Sequence, residues 1–299
     1  MEQSKRTYLH HHYLNILNLL YYYRFGTKLL LVRGIGADNE LYVYRLLERL
    51  VNVGLVGKLY KPSFKLLGKP AVYYLKADGI RYLRGANSNN EVGIDDTIIK
   101  SAYRKYSDTY MNQCLDILSV SLVLTRIYPP LRFYTKRSTH GLWYIPDRPP
   151  DGYLLLPQAG KDTPPVGQPN HPPRKLDSYY LDLLPVQNQW KELRDRFNGY
   201  NDLFVSHVLQ DDHIDLPSLL LICRSEALER KAISQMNRLF EDTYYKFECF
   251  ITTLDHVKAL PSGDHNIWTD VKEPGELYAL DTLPEFDYVN PEDVPRATP

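Results

Sequence analysis

The first 85 residues alternate apolar stretches of helical spacing with stop signals, a pattern that predicts three helices. The first helix covers 8–25 and ends at Gly26, and the second covers 27–35 and begins at Thr27. Asp38 or Asn39 can cap the third helix, which ends at Gly54. The side chains expected to face inward are Leu9, Tyr13, Ile16, Leu17 and Leu20 on the first helix and Leu41, Tyr44, Leu47, Leu50 and Val51 on the third.

Two short β-rich segments, 55–60 and 70–75, follow the third helix and are joined by a loop that carries lysines. A fourth helix then places Ile80 and Leu83 inward. Three helices, a β-hairpin and a closing helix make up a winged helix-turn-helix, so we assign residues 1–85 to such a domain. In this arrangement the third helix enters the major groove of DNA, and the hairpin lies along a phosphate strand.

Charge is distributed unevenly along a chain whose net charge is zero. Residues 1–85 hold 14 Lys and Arg against 5 Asp and Glu, or +9, and the remainder holds 22 against 31, or −9. We therefore expect the first domain to bind duplex DNA, with Asn and Arg reading base edges and lysines contacting phosphates. A protein partner for the same domain is the alternative. The predicted DNA-binding residues are Asn39, Tyr42, Arg45, Arg49, Lys58, Lys61, Lys65 and Lys69.

The rest of the chain predicts a second domain over 97–283. A polar linker at 86–96 precedes it, and an extended tail rich in proline and acid follows at 284–299. The apolar pattern gives a long helix to about residue 124, then three strands, and then a helix, a strand, a helix and a strand. The three strands are expected near 131–136, 152–157 and 178–184, with a long Pro-rich loop over 158–175 before the third.

The last strand of this domain has an alternating pattern. Phe247, Cys249 and Ile251 are expected on one face, opposite Glu248, Phe250 and Thr252. The order α-β-β-β-α-β-α-β around a mixed sheet is that of restriction-endonuclease-like domains. The predicted fold class is therefore α+β or α/β, with a winged helix-turn-helix followed by a nuclease-like α/β domain.

Three sequence motifs carry a resemblance to a known family. The closing helix of the first domain has the sequence "YYLKADGIRYL", and the later motifs are "PDGYLLL" and "YYLDLLP". Together they resemble the replication-relaxation family of plasmids and other mobile elements over roughly residues 10–260. Members of that family join a winged helix to a degenerate PD-(D/E)xK-like domain. The resemblance implies a DNA-binding protein of a mobile element that acts in replication, transfer or its control.

Asp151 and Asp182 are the candidate catalytic and metal-binding residues of the second domain. The resemblance aligns Asp182 with the strand acid of the family and puts Leu184 where an active nuclease has lysine. Paired carboxylates can hold Mg²⁺, which polarises a phosphate and lowers the pKa of the attacking water. Leu184 cannot orient that water electrostatically, and Lys191 on the following helix is a candidate substitute.

The absence of this lysine favours a domain that has the nuclease-like fold but does not cleave DNA. We expect no cofactor, or Mg²⁺ on Asp151 and Asp182 if the site is active. Two carboxylates without a cation repel, so one is expected to have a raised pKa or to turn toward solvent. Asp182→Asn would then leave DNA binding unchanged and relieve the repulsion. Pro-Asp-Gly is also a common turn before a strand, in which case the acids have no chemical role.

Other features narrow the class of protein. The three cysteines, Cys114, Cys223 and Cys249, have no CxxC spacing and predict buried thiols, and no phosphate-binding loop or nucleophile elbow is present. No apolar run approaches 18 residues, so we expect no membrane partner and a cytoplasmic protein. Three functions stay open: a DNA-binding protein whose nuclease-like domain mediates dimerisation or docks replication or transfer proteins, a Mg²⁺-dependent endonuclease, and a structural protein whose winged helix contacts protein.

Overall fold

The structure is a computed structural model of the 299-residue chain. It describes residues 2–86, 107–139, 142, 144–157, 176–184, 190–205, 217–242 and 248–284. Contacts divide the chain into two compact units, which are described separately. Unit 1 contains 1–129 and 133–140, and unit 2 contains 130–132 and 141–299.

Unit 1 combines helices with a small antiparallel sheet. Its strands are β1 (Phe25–Thr27), β2 (Val56–Leu59) and β3 (Val72–Leu75), and β3 lies between the other two. Its core joins apolar side chains of the helices, such as Leu17 and Leu47, to Val56 of the sheet. The helices are α1 (Glu2–Tyr23), α2 (Lys28–Gly34), α3 (Glu40–Asn52), α4 (Pro62–Leu66), α5 (Ala77–Ala86) and α6 (Asp108–Ile127).

The end of α1 differs from the sequence expectation. Gly26 does not stop the helix, because α1 ends at Tyr23 and Arg24 takes a φ of 68°. This left-handed residue turns the chain into β1, where Phe25 and Gly26 are both buried. Thr27 caps α2 as expected, its hydroxyl accepting a hydrogen bond from the Leu30 amide at 3.4 Å.

The buried face of α3 is rotated from the predicted one. Val43 and Leu46 are buried together with Leu47 and Leu50, whereas Leu41 and Tyr44 are 57% and 40% exposed. A thirteen-residue helix with apolar side chains on most of its circumference allows two inward stripes, and packing against α1 and α2 selects one of them. Tyr42, expected outside, is half-buried against the core.

The connection between β2 and β3 contains α4 rather than only a loop. Phe64 of α4 is buried with Phe25 and Val72, so the connection is anchored in the unit. The closing helix α5 follows, with Ile80 and Leu83 buried as expected. Helix α6, which sequence analysis gave to the second domain, packs in unit 1: the Tyr23 hydroxyl and the Ser121 hydroxyl are 2.6 Å apart.

Unit 2 contains a mixed sheet, as the predicted order of elements requires. Six described strands of unit 2 follow the order β10-β9-β8-β7-β6-β5. Strands β5 and β6 are antiparallel, β6, β7 and β8 are parallel, and β9 is antiparallel to β8. These strands are β5 (Gly152–Pro157), β6 (Leu176–Leu183), β7 (Ser218–Cys223), β8 (Cys249–Thr253), β9 (Trp268–Asp270) and β10 (Leu277–Tyr278), whereas β4 (Arg132–Thr135) falls mostly in the range of unit 1.

The helices of unit 2 are α7 (Trp190–Val205), α8 (Glu226–Asp242) and α9 (Leu254–Ala259), with 3₁₀ turns at Leu260–Ser262 and Leu280–Thr282. Strand β8 covers Cys249–Thr253, so Cys249 and Ile251 lie on the face opposite Phe250 and Thr252 as predicted, and all five of its residues are buried. A central parallel strand is covered on both faces, so Phe250 and Thr252 lie in the interior as fully as Cys249. The described chain is therefore mixed α and β, as predicted.

Several expectations fall outside the described residues. These are most of the linker, at 87–96, the Pro-rich segment 158–175, and the tail beyond 284. Cys114, Cys223 and Cys249 are free and buried, in agreement with the prediction. Among the described helices, none has the length and apolar character needed to span a bilayer.

Candidate nucleic-acid interface and acidic site

Arg45 lies on the exposed side of α3. Burial of Val43, Leu46, Leu47 and Leu50 fixes the orientation of the helix and turns Arg45 to solvent. Within the described residues, Arg45 has no acidic partner. Its guanidinium can therefore form hydrogen bonds or ion pairs with a ligand.

Lys58 of β2 is held against the exposed side of α3. Its Nζ lies 2.7 Å from Glu48 Oε1 and 5.8 Å from the centre of the Tyr44 ring. The hydrogen bond to Glu48 raises the pKa of Lys58, against a smaller opposing effect of burial. The positive charge of Lys58 is thus already shared with an acid, which reduces its value as a phosphate contact.

Asn39 and Arg49 also have internal partners. Asn39 is the N-cap of α3, and its Oδ1 accepts a hydrogen bond from the Tyr42 amide at 3.1 Å. Reading an adenine edge requires both the oxygen and the nitrogen of an Asn amide. The capping hydrogen bond therefore occupies part of the acceptor capacity that Asn39 would need to read adenine. Arg49 Nη1 donates to the Tyr13 hydroxyl at 3.5 Å, a hydrogen bond that raises the pKa of Arg49.

The three lysines of the β2–β3 connection differ in their surroundings. Lys61 Nζ lies 2.6 Å from Asp108 Oδ1 of α6. Lys65 and Lys69 are exposed, and in the described part of unit 1 no carboxylate pairs with them. Of the eight residues predicted to bind DNA, Arg45, Lys65 and Lys69 therefore have the charges most available to a ligand.

Asp151 and Asp182 lie opposite each other at one end of the β5–β6 pair, as their places in the sequence predict. They are one residue beyond the paired Gly152 and Leu181. Asp182 Oδ1 accepts a hydrogen bond from the Asp151 amide at 3.1 Å, and Asp151 Oδ2 accepts one from the Leu183 amide at 3.0 Å. The two side chains thus join the ends of β5 and β6.

One of the two carboxylates was expected to have a raised pKa or to turn toward solvent, and neither turns toward solvent. Asp151 is 4% exposed and Asp182 is fully buried. The physical reason is a cation that sequence analysis missed, because Arg196 of α7 donates to Asp182 Oδ1. The carboxylate of Asp182 in turn raises the pKa of Arg196. An opposite charge and hydrogen bonds compensate the burial of Asp182.

Tyr200 completes this network one helical turn beyond Arg196. Its hydroxyl donates to Asp182 Oδ2 at 2.7 Å, and its ring stacks on the buried Tyr180 ring with centres 5.1 Å apart. Burial, followed by the charge of Asp182, raises the pKa of the Tyr200 hydroxyl well above its ordinary value. We call Asp151, Asp182, Arg196 and Tyr200 the acid–arginine cluster.

The acid–arginine cluster does not fit Mg²⁺. Both oxygens of Asp182 are engaged, and a divalent ion would have to displace the Arg196 guanidinium from them. Magnesium keeps an octahedral shell of oxygen ligands, usually including water, which requires more room than one arginine contact leaves. Over the described ranges, no group of three or more His, Cys, Asp or Glu side chains is arranged to hold a metal ion.

The remaining predicted residues of this site are placed apart from the acid–arginine cluster. Lys191 is exposed on α7, and Leu184 is buried with its amide donating to the Ile222 carbonyl at 2.9 Å. The sequence held one signal for the missed partners. Arg196 and Tyr200 are four residues apart and flank the buried Phe197, so they share the inner side of α7.

Comparisons with protein-family models, with curated proteins and with solved structures find no match to this chain. The resemblance to the replication-relaxation family therefore remains a prediction.

Proposed function

We propose that this chain is a DNA-binding protein of a mobile element, acting in replication, transfer or its control. In this proposal unit 1 acts as a winged helix: α3 enters the major groove, and the connection between β2 and β3 is the wing. The element order α1-β1-α2-α3-β2-β3, with an antiparallel sheet, supports the assignment. The single observation that carries the proposal is the exposed Arg45 on α3, together with Lys65 and Lys69 on the wing.

The proposal is tested by binding-site selection from random duplexes with the full chain. If Arg45 reads base edges, Arg45→Ala should cost about 1–3 kcal/mol on the preferred site and less on random DNA. Arg81→Ala is the matched control, because Arg81 is exposed on α5 and pairs with Asp78 at 2.8 Å. An equal loss of affinity on the preferred site and on random DNA would show that Arg45 contacts phosphates and not base edges. No binding of the wild type to any duplex would overturn the proposal.

We propose that the nuclease-like fold of unit 2 serves as a scaffold for dimerisation or partner docking, without cleavage. The engagement of Asp182 by Arg196 and Tyr200 supports this assignment. Supercoiled plasmid incubated with the full chain and Mn²⁺ should remain intact. Nicking by the wild type that EDTA abolishes and that is also lost in Asp182→Asn would establish the endonuclease alternative instead.

A protein partner for α3 is the second candidate function. Leu41 and Tyr44 are exposed on the same helix as Arg45, and large apolar side chains at a helix surface favour protein contacts. Under this alternative the chain does not bind duplex DNA at low salt, whereas under the proposal it does.

A further inference from the structure

The wing ends in a rigid apolar tip, which we call the leucine knuckle: Leu66 and Leu67 with the flanking Lys65 and Lys69. Burial of Phe64 anchors the segment that precedes it. The Leu67 amide donates to the Ser63 carbonyl at 3.1 Å, and the Lys69 amide donates to the Phe64 carbonyl at 2.8 Å. Gly68 supplies the positive φ, 61°, that this turn requires. The knuckle is therefore held in one conformation before any ligand binds.

The two leucines are presented to solvent. Leu66 is 87% exposed and Leu67 is 66% exposed, and neither belongs to a core cluster of unit 1. Core packing of unit 1 therefore does not require a large apolar side chain at either position. A ligand that covers them would gain apolar contact at little ordering cost, because the backbone is already fixed.

The size and charge of the leucine knuckle favour duplex DNA as its ligand over a protein surface or a membrane. A stable protein interface buries about 800 Å² per partner, more than two leucine side chains offer. Two leucines also carry fewer CH₂ groups than a single acyl chain, which by itself holds a protein to a membrane only marginally. The flanking Lys65 and Lys69 favour a polyanion, and duplex DNA offers apolar base steps between charged strands.

We propose that the leucine knuckle inserts into the minor groove of duplex DNA and kinks it. Leu66 and Leu67 would act as an apolar wedge at a base step, with Lys65 and Lys69 on the flanking phosphates. This inference rests on the proposed function and adds a second contact, with its own DNA distortion, to that of α3. Flexible pyrimidine–purine steps would be the preferred positions, because they unstack at the lowest cost.

The test measures bending and binding separately, with the full chain and a short duplex carrying a donor and an acceptor dye at its two ends. Wild-type protein should raise the energy transfer between the dyes. Leu66→Ala/Leu67→Ala should still bind, as measured by anisotropy, but lose that rise. The matched control is Leu29→Ala/Leu277→Ala, which removes two leucines that are 44% and 57% exposed elsewhere. The control should bend DNA as the wild type does.

The possible failures are distinguishable. Binding by the wild type without a rise in energy transfer, or an equal rise in Leu66→Ala/Leu67→Ala, overturns the knuckle proposal and leaves the DNA-binding proposal standing. No binding of the wild type to any duplex overturns both. Co-sedimentation with phosphatidylserine vesicles that depends on the two leucines, with unchanged DNA bending by the variant, assigns the knuckle to a membrane and also overturns the inference.

Discussion

Asp182 shows how one buried residue connects the ends of two strands to a helix. A buried carboxylate needs a compensating charge, and Arg196 supplies one. The positions of Asp151 and Asp182 could be predicted because both acids lie at strand ends in successive strands. Arg196 could be placed on the inner side of α7 beside Phe197 and Tyr200, but the sequence does not reveal that this turn of α7 covers the end of β6.

The presence of Arg196 reverses the expected effect of Asp182→Asn. The variant leaves a partly buried guanidinium without its charge partner and presents an amide N–H₂ to hydrogen-bond donors. We expect a loss of about 3 kcal/mol in the free energy of unfolding, within the range for breaking a buried ion pair. Tryptophan fluorescence in urea measures it, because Trp268 is buried in unit 2.

Asp195→Asn is the control for this prediction. Asp195 pairs with Arg148 at 3.3 Å at the surface, so its loss should change stability by less than about 1 kcal/mol. Equal stabilities for the wild type and Asp182→Asn would show that Arg196 does not stabilise Asp182, and the account of the acid–arginine cluster would be wrong.

Glu248 makes the stability of unit 2 depend on pH. Burial raises its pKa to about 7, with Asp270 adding to the shift and Lys272 opposing it. Between the ordinary value, 4.5, and about 7, the folded state holds a proton that the unfolded chain has released. The contribution of this proton to stability is therefore complete below pH 4.5 and is lost as pH rises through about 7.

The measurement compares the wild type with Glu248→Gln in urea across this pH window. The wild type should lose stability relative to the variant as pH rises, by about 1 kcal/mol, since the side chain is half-exposed and partly screened. A stability difference that does not change with pH would contradict the shifted pKa.

At the scale of elements, α3 illustrates what hydrophobic periodicity can and cannot predict. Its extent was predicted to within two residues, and of the two predicted caps, Asp38 and Asn39, the structure shows Asn39. Its buried face could not be predicted, because Leu41, Val43, Tyr44 and Leu46 satisfy two adjacent stripes and only packing decides between them. Strand β1 was missed because three residues are too few to show a period, and α4 because one turn of helix resembles a loop.

The cap of α3 should be worth more to stability than to DNA recognition. Asn39→Ala removes the acceptor of the Tyr42 amide, and the expected cost is about 1 kcal/mol. Amide hydrogen exchange of the first turn of α3 should speed up accordingly. Asn39→Asp keeps the acceptor and should preserve the protection, while Asn52→Ala, at the other end of the helix, is the control. Unchanged exchange in Asn39→Ala would contradict the stabilising role of this cap.

At the scale of the whole molecule, ion pairs within the fold limit the number of cations that can contact DNA. The excess of +9 in residues 1–85 could be counted from the sequence. The sequence does not show which of these cations are already paired with acids and which can contact DNA. Of Lys58, Lys61, Lys65 and Lys69, the first two pair with Glu48 and Asp108. Asp108 belongs to α6, which the sequence pattern assigned to the second domain. Fewer cations than the count suggests are therefore available to contact phosphates.

The salt dependence of binding to duplex DNA tests the central claim most directly. The full chain should bind with log Kd rising linearly with log salt concentration, and Lys65→Ala/Lys69→Ala should flatten the slope by about 1.8, since each lost phosphate contact removes about 0.9. Arg230→Ala/Lys231→Ala, which removes two exposed cations of α8, should leave the slope unchanged. Absence of binding at low salt, or the same slope for the wild type and Lys65→Ala/Lys69→Ala, would contradict the account.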